Sequence, residues 1–111
     1  MGYMRGGTIL RIDLDSGMIV KEPTAEYEKL WFGGRGLNSR ILYTETGPAV
    51  DPLEPENVLM FSLGPFTGTM VPGSGRVEVA AKSPVIGIQG MGNMGGYWGP
   101  ELKYAGYDSI I

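Results

Sequence analysis

Apolar and charged residues alternate near the start of the chain, with the two-residue period of a β-strand that buries one face. Leu10, Ile12 and Leu14 occupy one side of this pattern, and charged residues occupy the other. Residues 15–17 (Asp-Ser-Gly) form a turn signal, and a second extended run follows at 18–20. The pattern predicts a β-hairpin.

Two short helices are predicted next, from their end signals and from the spacing of apolar residues. Thr24 can cap the first helix, because its side-chain oxygen can accept a hydrogen bond from a free amide of the first turn. The glycine pair at 33–34 is placed to end that helix. After Gly36, apolar residues recur at helical spacing over 37–42, and the Gly-Pro pair at 47–48 stops the second helix.

A proline-rich loop, a buried strand and a third helix are also predicted. Residues 51–56 (DPLEPE) form a rigid loop, since each proline fixes its own φ and biases the preceding residue away from the helical region. The mainly apolar run 58–63 is typical of a strand buried on both faces. Residues 99–101 (Gly-Pro-Glu) predict a helix start, Gly106 is placed to end that helix, and residues 107–111 predict a strand that enters the core.

A further strand is predicted at 76–82, where small apolar residues alternate with charged ones. A strand sends successive side chains to opposite faces, so the charged residues share one face. We expect this face to look outward or into a polar site. It carries Arg76, Glu78 and Lys82.

The 111 residues fit one domain, or part of one. The last residues, 109–111 (Ser-Ile-Ile), include neither a turn nor a polar tail. A natural domain seldom ends on the first half of a buried strand, so we expect the chain to be a piece of a longer protein. A chain that ends in an edge strand is the alternative.

The composition excludes several classes of protein. The sequence contains no cysteine and no histidine, so it offers no disulfide, Cys/His zinc site, cysteine ligand for an iron–sulfur cluster or His-based triad. Its net charge is -3 and it has no basic run, so nucleic acid is not an expected partner. Residues 1–14 include Arg5 and Arg11, which interrupt any signal or membrane-spanning segment. We expect a cytoplasmic chain with no membrane segment.

Glycine is the most unusual part of the composition. Nineteen glycines are present, and ten of them fall between Gly64 and Gly99 without the period of collagen or the polarity of a linker. Aromatic and β-branched residues are interleaved with them, which indicates a folded segment whose backbone approaches something closely. The charged residues of this segment are Arg76, Glu78 and Lys82. We therefore predict a backbone-lined cradle for an anionic cofactor.

Residues 90–95 match G-x-G-x-x-G, the dinucleotide-binding fingerprint, and they follow an apolar run at 85–88. The fingerprint also requires a helix that opens at its last glycines and an acidic residue about twenty positions further on. Here the glycines continue through Gly96 and Gly99, Pro100 delays the helix, and the chain ends before such an acid. A Rossmann-type nucleotide-binding domain is therefore kept as an alternative.

Residues 72–76 (Pro-Gly-Ser-Gly-Arg) form a turn rich in free amides, which can bind an anion, and Arg76 would add a bidentate contact to phosphate. A hairpin loop with a solvated arginine is the alternative. Asn93, an amide among glycines, is available for a left-handed turn or for a ligand contact.

For glycines 33–36 we favour a linker between helices over an anion loop. Four further side chains either line a flat ligand or pack in a core: Met91, Met94, Tyr97 and Trp98.

Six motifs, in their order and spacing, resemble the amino-terminal domain of tungsten-containing aldehyde ferredoxin oxidoreductases. The resemblance covers nearly the whole chain, and the order of the motifs is more specific than any one of them. The motifs are 33–37 (GGRGL), 51–57 (DPLEPEN), 64–69 (GPFTGT), 72–76 (PGSGR), 82–84 (KSP) and 95–108 (GGYWGPELKYAGYD).

The resemblance implies an α+β fold in which two sheets with short helices form a base for the cofactor, with residues 1–111 as the amino-terminal portion of this metal-pterin-binding domain. The implied cofactor is tungsten, or molybdenum, held by two pterins, with magnesium bridging the pterin phosphates and a [4Fe–4S] cluster beside it. The implied reaction oxidises aldehydes to carboxylic acids with ferredoxin as acceptor, in a homo-oligomer. The cluster ligands belong to other domains, so the 111 residues alone are not expected to be active.

The same resemblance implies the roles of individual residues, none of them catalytic. Arg76 matches the arginine set between pterin and cluster. Asn93 matches the residue near the pterin phosphates and their magnesium, and Gly95 matches the adjoining backbone contact. The predicted cofactor-binding set is completed by Ser74, Gly75 and Gly96.

A related branch of the family, which includes the catalytic subunits of benzoyl-coenzyme A reductases, shares this domain and runs a different reaction. These residues do not separate the two branches, because substrate choice and the acid–base group of the mechanism belong to the missing domains. A freestanding structural or interaction module, whose glycines serve tight turns alone, is the third hypothesis.

Overall fold

The computed structural model describes residues 4–111, apart from the side chain of Glu28. These residues form one six-stranded β-sheet and three helices. The elements follow one another as β1 (Thr8–Ile12), β2 (Ile19–Pro23), α1 (Ala25–Trp31), α2 (Gly34–Glu45), β3 (Met60–Leu63), β4 (Val77–Lys82), β5 (Gln89–Met94), α3 (Trp98–Tyr104) and β6 (Ser109–Ile110).

The sheet has the strand order β2-β1-β6-β3-β4-β5. Its neighbouring strands are antiparallel except for β1 and β6, which run parallel. The last strand of the chain therefore lies in the middle of the sheet, between β1 and β3. The predicted α+β class is confirmed, whereas the second sheet of the expected two-sheet base is not formed within residues 4–111.

Helix α2 packs on one face of the sheet and forms the core with it. Helix α2 buries the apolar residues predicted at helical spacing, Leu37, Ile41 and Leu42, and it also buries the polar residue Asn38. Burying a side chain of this size contributes about 1.5–3 kcal/mol. The buried partners from the sheet are Ile9 of β1, Met60 of β3 and Ala80 of β4.

The amino-terminal hairpin is confirmed, with β1 and β2 antiparallel and paired in register. The carboxylate of Asp13 holds its turn, because it accepts hydrogen bonds from the Asp15 amide at 2.9 Å and the Ser16 hydroxyl at 2.8 Å. Leu14, predicted to lie in the strand, lies in this turn and is 90% exposed. The strand ends before Leu14 because the turn begins there.

The predicted helix cap at Thr24 is not formed, although α1 begins at the next residue. A threonine caps a helix from an extended backbone conformation. Thr24 instead has helical angles, φ -71° and ψ -17°, and makes no side-chain cap hydrogen bond. Its hydroxyl donates to Oδ2 of Asp108 at 2.9 Å, so the partner of the Thr24 side chain is this buried carboxylate and not an amide of α1.

Of residues 33–36, which we favoured as a linker between helices, only Gly33 lies between α1 and α2, and the other three begin α2. Helix α2 begins at Gly34, three residues before its predicted start at Leu37. Gly33 has φ 121°, and a Cβ at this position would lie 2.8 Å from the carbonyl oxygen of Leu63. A residue with a side chain would be strained there and would collide with β3, so glycine lets α2 lie close to the sheet.

The third helix and the last strand occupy the predicted positions. Helix α3 begins one residue before Gly99, and Gly106 follows its end with φ 92°. Within the described part of the chain, no helix has the length and apolar character that a membrane crossing needs. Part of the segment 1–14, which is predicted to be neither a signal segment nor a membrane span, lies outside the described residues.

Candidate functional site

Two glycine-rich loops carry most of the predicted site residues, and they are packed against each other. The first, residues 64–76, leads into β4, and the second, residues 95–99, follows β5 and includes the first two residues of α3. A Cβ on Gly99 would lie 2.8 Å from the carbonyl oxygen of Gly75, and a Cβ on Gly75 would lie 3.7 Å from that of Gly96. The missing side chain at Gly99 therefore lets the two loops meet at the ends of β4 and β5.

Arg76 and Asn93, both predicted to contact the cofactor, lie side by side where these loops meet. Nη1 of Arg76 donates a hydrogen bond to Oδ1 of Asn93 at 3.4 Å, and both residues are exposed. Asn93 lies on β5 directly opposite Glu78 of β4, and its Nδ2 donates to Oε2 of Glu78 at 2.6 Å. The structure thus brings the two predicted residues together and joins them to an acidic residue.

Glu78 connects this pair to helix α2. Its Oε1 accepts a hydrogen bond from Nε of Arg35, in the first turn of α2, at 3.0 Å. The Glu78 side chain is 10% exposed and that of Arg35 is 61% exposed. An ion pair this open to solvent is typically worth only about 0–1 kcal/mol, so its importance lies in the geometry that it sets. The four linked residues, named the site network below, are Arg35, Glu78, Asn93 and Arg76.

The charged face predicted for β4 is divided, since Arg76 is exposed whereas Glu78 and Lys82 are covered, so the expectation that the face looks outward is wrong for these two residues. Glu78 and Lys82 are only 9% and 8% exposed. Nζ of Lys82 donates to three carbonyl oxygens in the turn at 47–50. The alternation within β4 could not show this, because Arg35 and Asn38 approach from a separate helix and supply the matching polar groups.

Sequence reasoning did not select Arg35 or Glu78 as site residues. A signal for Glu78 was available, since it lies two positions after Arg76 on the same face of a predicted strand. No local pattern places Arg35 at the site, because that contact depends on how α2 docks on the sheet.

A row of polar side chains, named the polar row below, crosses four strands beneath α2. Ser109 of β6 lies opposite Ser62 of β3, Ser62 lies opposite Glu78, and Glu78 lies opposite Asn93. Asn38 of α2 covers the row, since its Oδ1 accepts from Ser62 and its Nδ2 donates to the Glu78 carbonyl oxygen at 3.2 Å. Asn38, Ser62 and Ser109 are fully buried. Buried polar groups need such partners, so the row fixes α2 relative to β3 and β4.

The other predicted site residues differ in what they leave open to a ligand. The hydroxyl of Ser74 lies 2.8 Å from the carbonyl oxygen of Phe66 and 2.7 Å from that of Val71, so it braces its own loop. At Gly95 and Gly96, by contrast, no described atom lies within 4 Å of the place where a Cβ would stand. The backbone at these glycines is therefore accessible to a ligand.

The apolar side chains near the site divide between packing and exposure. The ring of Trp98 packs against that of Phe61, with 5.6 Å between the ring centroids. Tyr97 is 87% exposed and Met91 is 52% exposed. Trp98 thus packs against one ring but is still 41% exposed, and Tyr97 and Met91 remain available to a flat ligand.

The G-x-G-x-x-G segment at 90–95 is not a dinucleotide-binding turn. Most of it forms β5, an edge strand that pairs antiparallel with β4. Helix α3 begins only at Trp98, so its amino terminus does not open at Gly95. The Rossmann alternative is therefore wrong. One of these glycines has a packing reason, since a Cβ on Gly90 would lie 3.2 Å from Cβ of Ser83.

Asp108 and Lys103 form a second charged cluster, which is buried. The Asp108 carboxylate accepts hydrogen bonds from the amides of Gly6 and Gly7, the hydroxyl of Thr24 and Nζ of Lys103, all between 2.7 and 2.9 Å. Burial alone would raise the pKa of Asp108, but these hydrogen bonds and the charge of Lys103 outweigh it and lower that pKa. A carboxylate offers about four acceptor positions, so this one has none left for a ligand.

Residues 9–111 match the family model described as "Aldehyde ferredoxin oxidoreductase, N-terminal domain". Two relatives from Pyrococcus furiosus are similar over 98% of this chain. A tungsten-containing aldehyde ferredoxin oxidoreductase is 48% identical over 110 residues, and the WOR-like subunit of an aliphatic sulfonate oxidoreductase is 39% identical over 114 residues. The chain spans 18% of the length of each of these relatives.

A solved structure is also similar to this chain. It is the active site complex BamBC of benzoyl coenzyme A reductase in complex with 1,5-dienoyl-CoA. The match has a TM-score of 0.95 and 41% sequence identity, and it covers 99% of this chain and 17% of that one. Both the fold and the sequence of the chain therefore match a small part of larger oxidoreductases.

Proposed function

The chain belongs to the aldehyde ferredoxin oxidoreductase family, whose amino-terminal domain it matches over residues 9–111. We propose that it is the cofactor-binding amino-terminal part of a tungsten or molybdenum bis-pterin oxidoreductase. The complete enzyme would oxidise aldehydes to carboxylic acids and pass the electrons to ferredoxin. The observation that supports this proposal most directly is the contact between Arg76 and Asn93 beside two open glycines.

The side chains and backbone of the site fit a cofactor that carries phosphate groups. The exposed guanidinium of Arg76 offers several donors in a plane, which suits phosphate oxygens. The accessible backbone at Gly95 and Gly96 permits the close approach that such a ligand requires. The side-chain oxygen of Asn93 is a ligand of the kind that Mg²⁺ accepts. Within residues 4–111, no three His, Cys, Asp or Glu residues lie together as a metal-binding group.

The bound metal-pterin group would supply the electron-transfer chemistry, and the residues of this chain would bind and orient it. In this assignment Arg76 pairs with negative charge, Asn93 places an oxygen next to Arg76, and the glycines at 95–96 let the backbone come close. Ser74 and Gly75 hold the loop that carries Arg76. No acid–base step is assigned to the described residues.

The remaining parts of the activity would belong to the rest of a longer enzyme, since the chain spans only 18% of its relatives. The sequence has no cysteine for a [4Fe–4S] cluster, so that cluster and the ferredoxin contact are assigned to other domains. We further propose a cytoplasmic homo-oligomer. A reading frame that continues beyond Ile111 into cysteine-containing domains is the expected finding, and a stop codon there would favour the freestanding module.

A reductase related to benzoyl-coenzyme A reductase is the second candidate function. It is favoured by the similarity to the BamBC structure, with a TM-score of 0.95 at 41% identity. In this proposal, the aldehyde-oxidising and benzoyl-coenzyme A-reducing enzymes share the cofactor-binding part that contains the site network. The site network therefore does not indicate which of the two substrates the enzyme uses.

The proposal is tested on the full-length protein, purified without oxygen. Elemental analysis should find tungsten or molybdenum, and the released cofactor should show pterin fluorescence. Oxidation of short aldehydes by a ferredoxin-type acceptor is expected in the first candidate, and reduction of benzoyl-coenzyme A in the second. Active protein with neither metal would contradict both.

A further inference from the structure

Glu78 is a nearly buried acid whose two carboxylate oxygens have different partners. Oε1 accepts from Arg35 at 3.0 Å, and Oε2 accepts from the side-chain amide of Asn93 at 2.6 Å. The register of β4 and β5 places Glu78 directly opposite Asn93. The carboxylate therefore stands between helix α2 and the residue proposed to lie near the cofactor.

The charges on the two sides of Asn93 determine which way its amide faces. An ionised carboxylate only accepts hydrogen bonds, so the NH2 group of Asn93 must face Glu78. The guanidinium of Arg76 only donates, so the carbonyl oxygen of Asn93 must face Arg76. The two ends of an amide have nearly the same shape, and packing alone would select neither orientation.

Glu78 is itself held in place from the buried side of the sheet. Its carbonyl oxygen accepts from Nδ2 of Asn38, which is fully buried in α2. The other end of the Asn38 amide is fixed by Ser62, which in turn lies 2.6 Å from the hydroxyl of Ser109. The orientation of Asn93 is thus anchored through the polar row to the centre of the sheet.

We propose that Glu78 is a positioning residue, which fixes the amide of Asn93 so that its oxygen, not its NH2 group, faces Arg76 and the cofactor. The inference rests on the proposed function. An oxygen in this position can bind a magnesium ion or accept from Arg76, whereas an NH2 group would repel both. Glu78 acts through Asn93 and touches no ligand itself.

The first test substitutes Glu78→Gln in the full-length enzyme. Arg35 only donates, so the new glutamine must turn its oxygen toward Arg35 and its NH2 group toward Asn93. Asn93 then rotates and presents its NH2 group to Arg76. We expect metal, pterin and magnesium to be retained about tenfold less tightly on dialysis, the lower end of the effect typical for residues that orient metal ligands.

The second test adds Asn93→Asp to Glu78→Gln. The new aspartate accepts on both oxygens, so it pairs with the glutamine NH2 group and again presents an oxygen to Arg76. The net charge of the pair is the same as in the original protein. We expect the double variant to regain most of the lost cofactor and magnesium, a rescue that a purely structural role of Glu78 would not give. Exposed Glu101→Gln is the matched control and should retain cofactor like the parent.

Atomic-resolution crystal structures of the parent and of Glu78→Gln test the amide orientation without relying on the cofactor. The NH2 group of Asn93 should face residue 78 in the parent and Arg76 in the variant. An unrotated amide, full cofactor retention in Glu78→Gln, or a double variant no better than the single one would overturn the inference. A parent enzyme without metal and pterin would instead refute the proposed function, and the crystal structures would still decide the role of Glu78.

Discussion

Asp108 joins three segments that are far apart in the sequence. It binds the amides of Gly6 and Gly7 before β1, the hydroxyl of Thr24 before α1 and the ammonium group of Lys103 in α3. The Asp108 and Lys103 side chains are 3% and 9% exposed. Removing one partner of a buried ion pair leaves an uncompensated charge, which is much more costly than losing a surface pair.

We therefore expect Asp108→Asn to lower the free energy of unfolding by about 3–5 kcal/mol at neutral pH. The pKa of Asp108 is lower in the folded protein than in the unfolded protein, where it is about 3.9. The stabilisation is therefore complete at a pH above the pKa of the unfolded state, and it is lost as the pH falls through the pKa of the folded state. Urea unfolding between pH 7 and pH 2 measures both effects. The difference from the parent should shrink in acid. Asp15→Asn, in an exposed turn, is the control, and equal losses for the two variants would contradict the prediction.

Arg76 is exposed, so its replacement tests ligand binding with little effect on the fold. In the cofactor-free full-length enzyme, Arg76→Ala should change the unfolding free energy by less than about 0.5 kcal/mol, as is usual for surface positions. It should also weaken cofactor retention. Arg76→Lys should restore the charge without the planar set of donors and recover only part of the retention. Metal content and thermal unfolding measure these effects, and full metal content and activity in Arg76→Ala would count against the assigned role.

Single elements were predictable from the sequence where one local pattern determines them. The alternation in β1 and the helical spacing of Leu37, Ile41 and Leu42 are each properties of one segment, and they predicted a strand and a helix that are confirmed. The face that β1 buries was predicted wrongly, because Ile9, and not the face of Leu10 and Ile12, packs in the core. The structure of residues 90–95 was harder to predict, because the same sequence motif is compatible with a phosphate-binding turn and with an edge strand. The partner strand, β4, decided between them. The covered face of β4 likewise depended on the docking of α2.

At the level of elements, the start of α3 depends on the absence of a side chain at Gly99. A Cβ there would lie 2.8 Å from the Gly75 carbonyl oxygen and 3.0 Å from a methyl group of Val77. Alanine favours helices by about 1 kcal/mol over glycine, but overpacking typically costs about 1–3 kcal/mol. We expect Gly99→Ala to be net destabilising in thermal unfolding. The matched control, Gly92→Ala, adds a methyl group with no described atom within 4 Å. A Gly99→Ala variant as stable as this control would contradict the packing argument.

The site as a whole combines residues that the sequence could nominate with residues that only the assembled sheet brings near. Arg76 and Asn93 were selected from their glycine-rich surroundings and a family resemblance, and the structure places them in contact. Their cofactor roles stay predictions. Arg35 and Glu78 complete the network because helix α2 docks on the sheet and brings Nε of Arg35 to Oε1 of Glu78. No sequence pattern within a single segment predicts that contact.

The whole sheet depends on β6, which connects its two ends. Within residues 4–111, β6 is the strand that lies between the β1–β2 hairpin and the other three strands of the sheet. The amide of Ile111 donates to the Leu10 carbonyl oxygen at 2.8 Å, and the Ile111 carbonyl oxygen accepts from Ile12 at 2.8 Å. Ile111 also packs against the core.

Ile111→Pro should therefore cost about 1–3 kcal/mol for the lost hydrogen bond, in addition to the lost side-chain packing, because proline has no amide to donate at the centre of the sheet. Ile111→Val keeps the amide and loses one methylene, which typically costs about 0.5–1.5 kcal/mol. The proline variant should also speed hydrogen exchange at Ile12 in β1 more than at amides in β5, since the damage falls where β1 meets β6. Equal unfolding free energies for the two variants, or equal exchange rates at both strands, would mean that packing of the side chain, and not the backbone bond, holds the hairpin to the sheet.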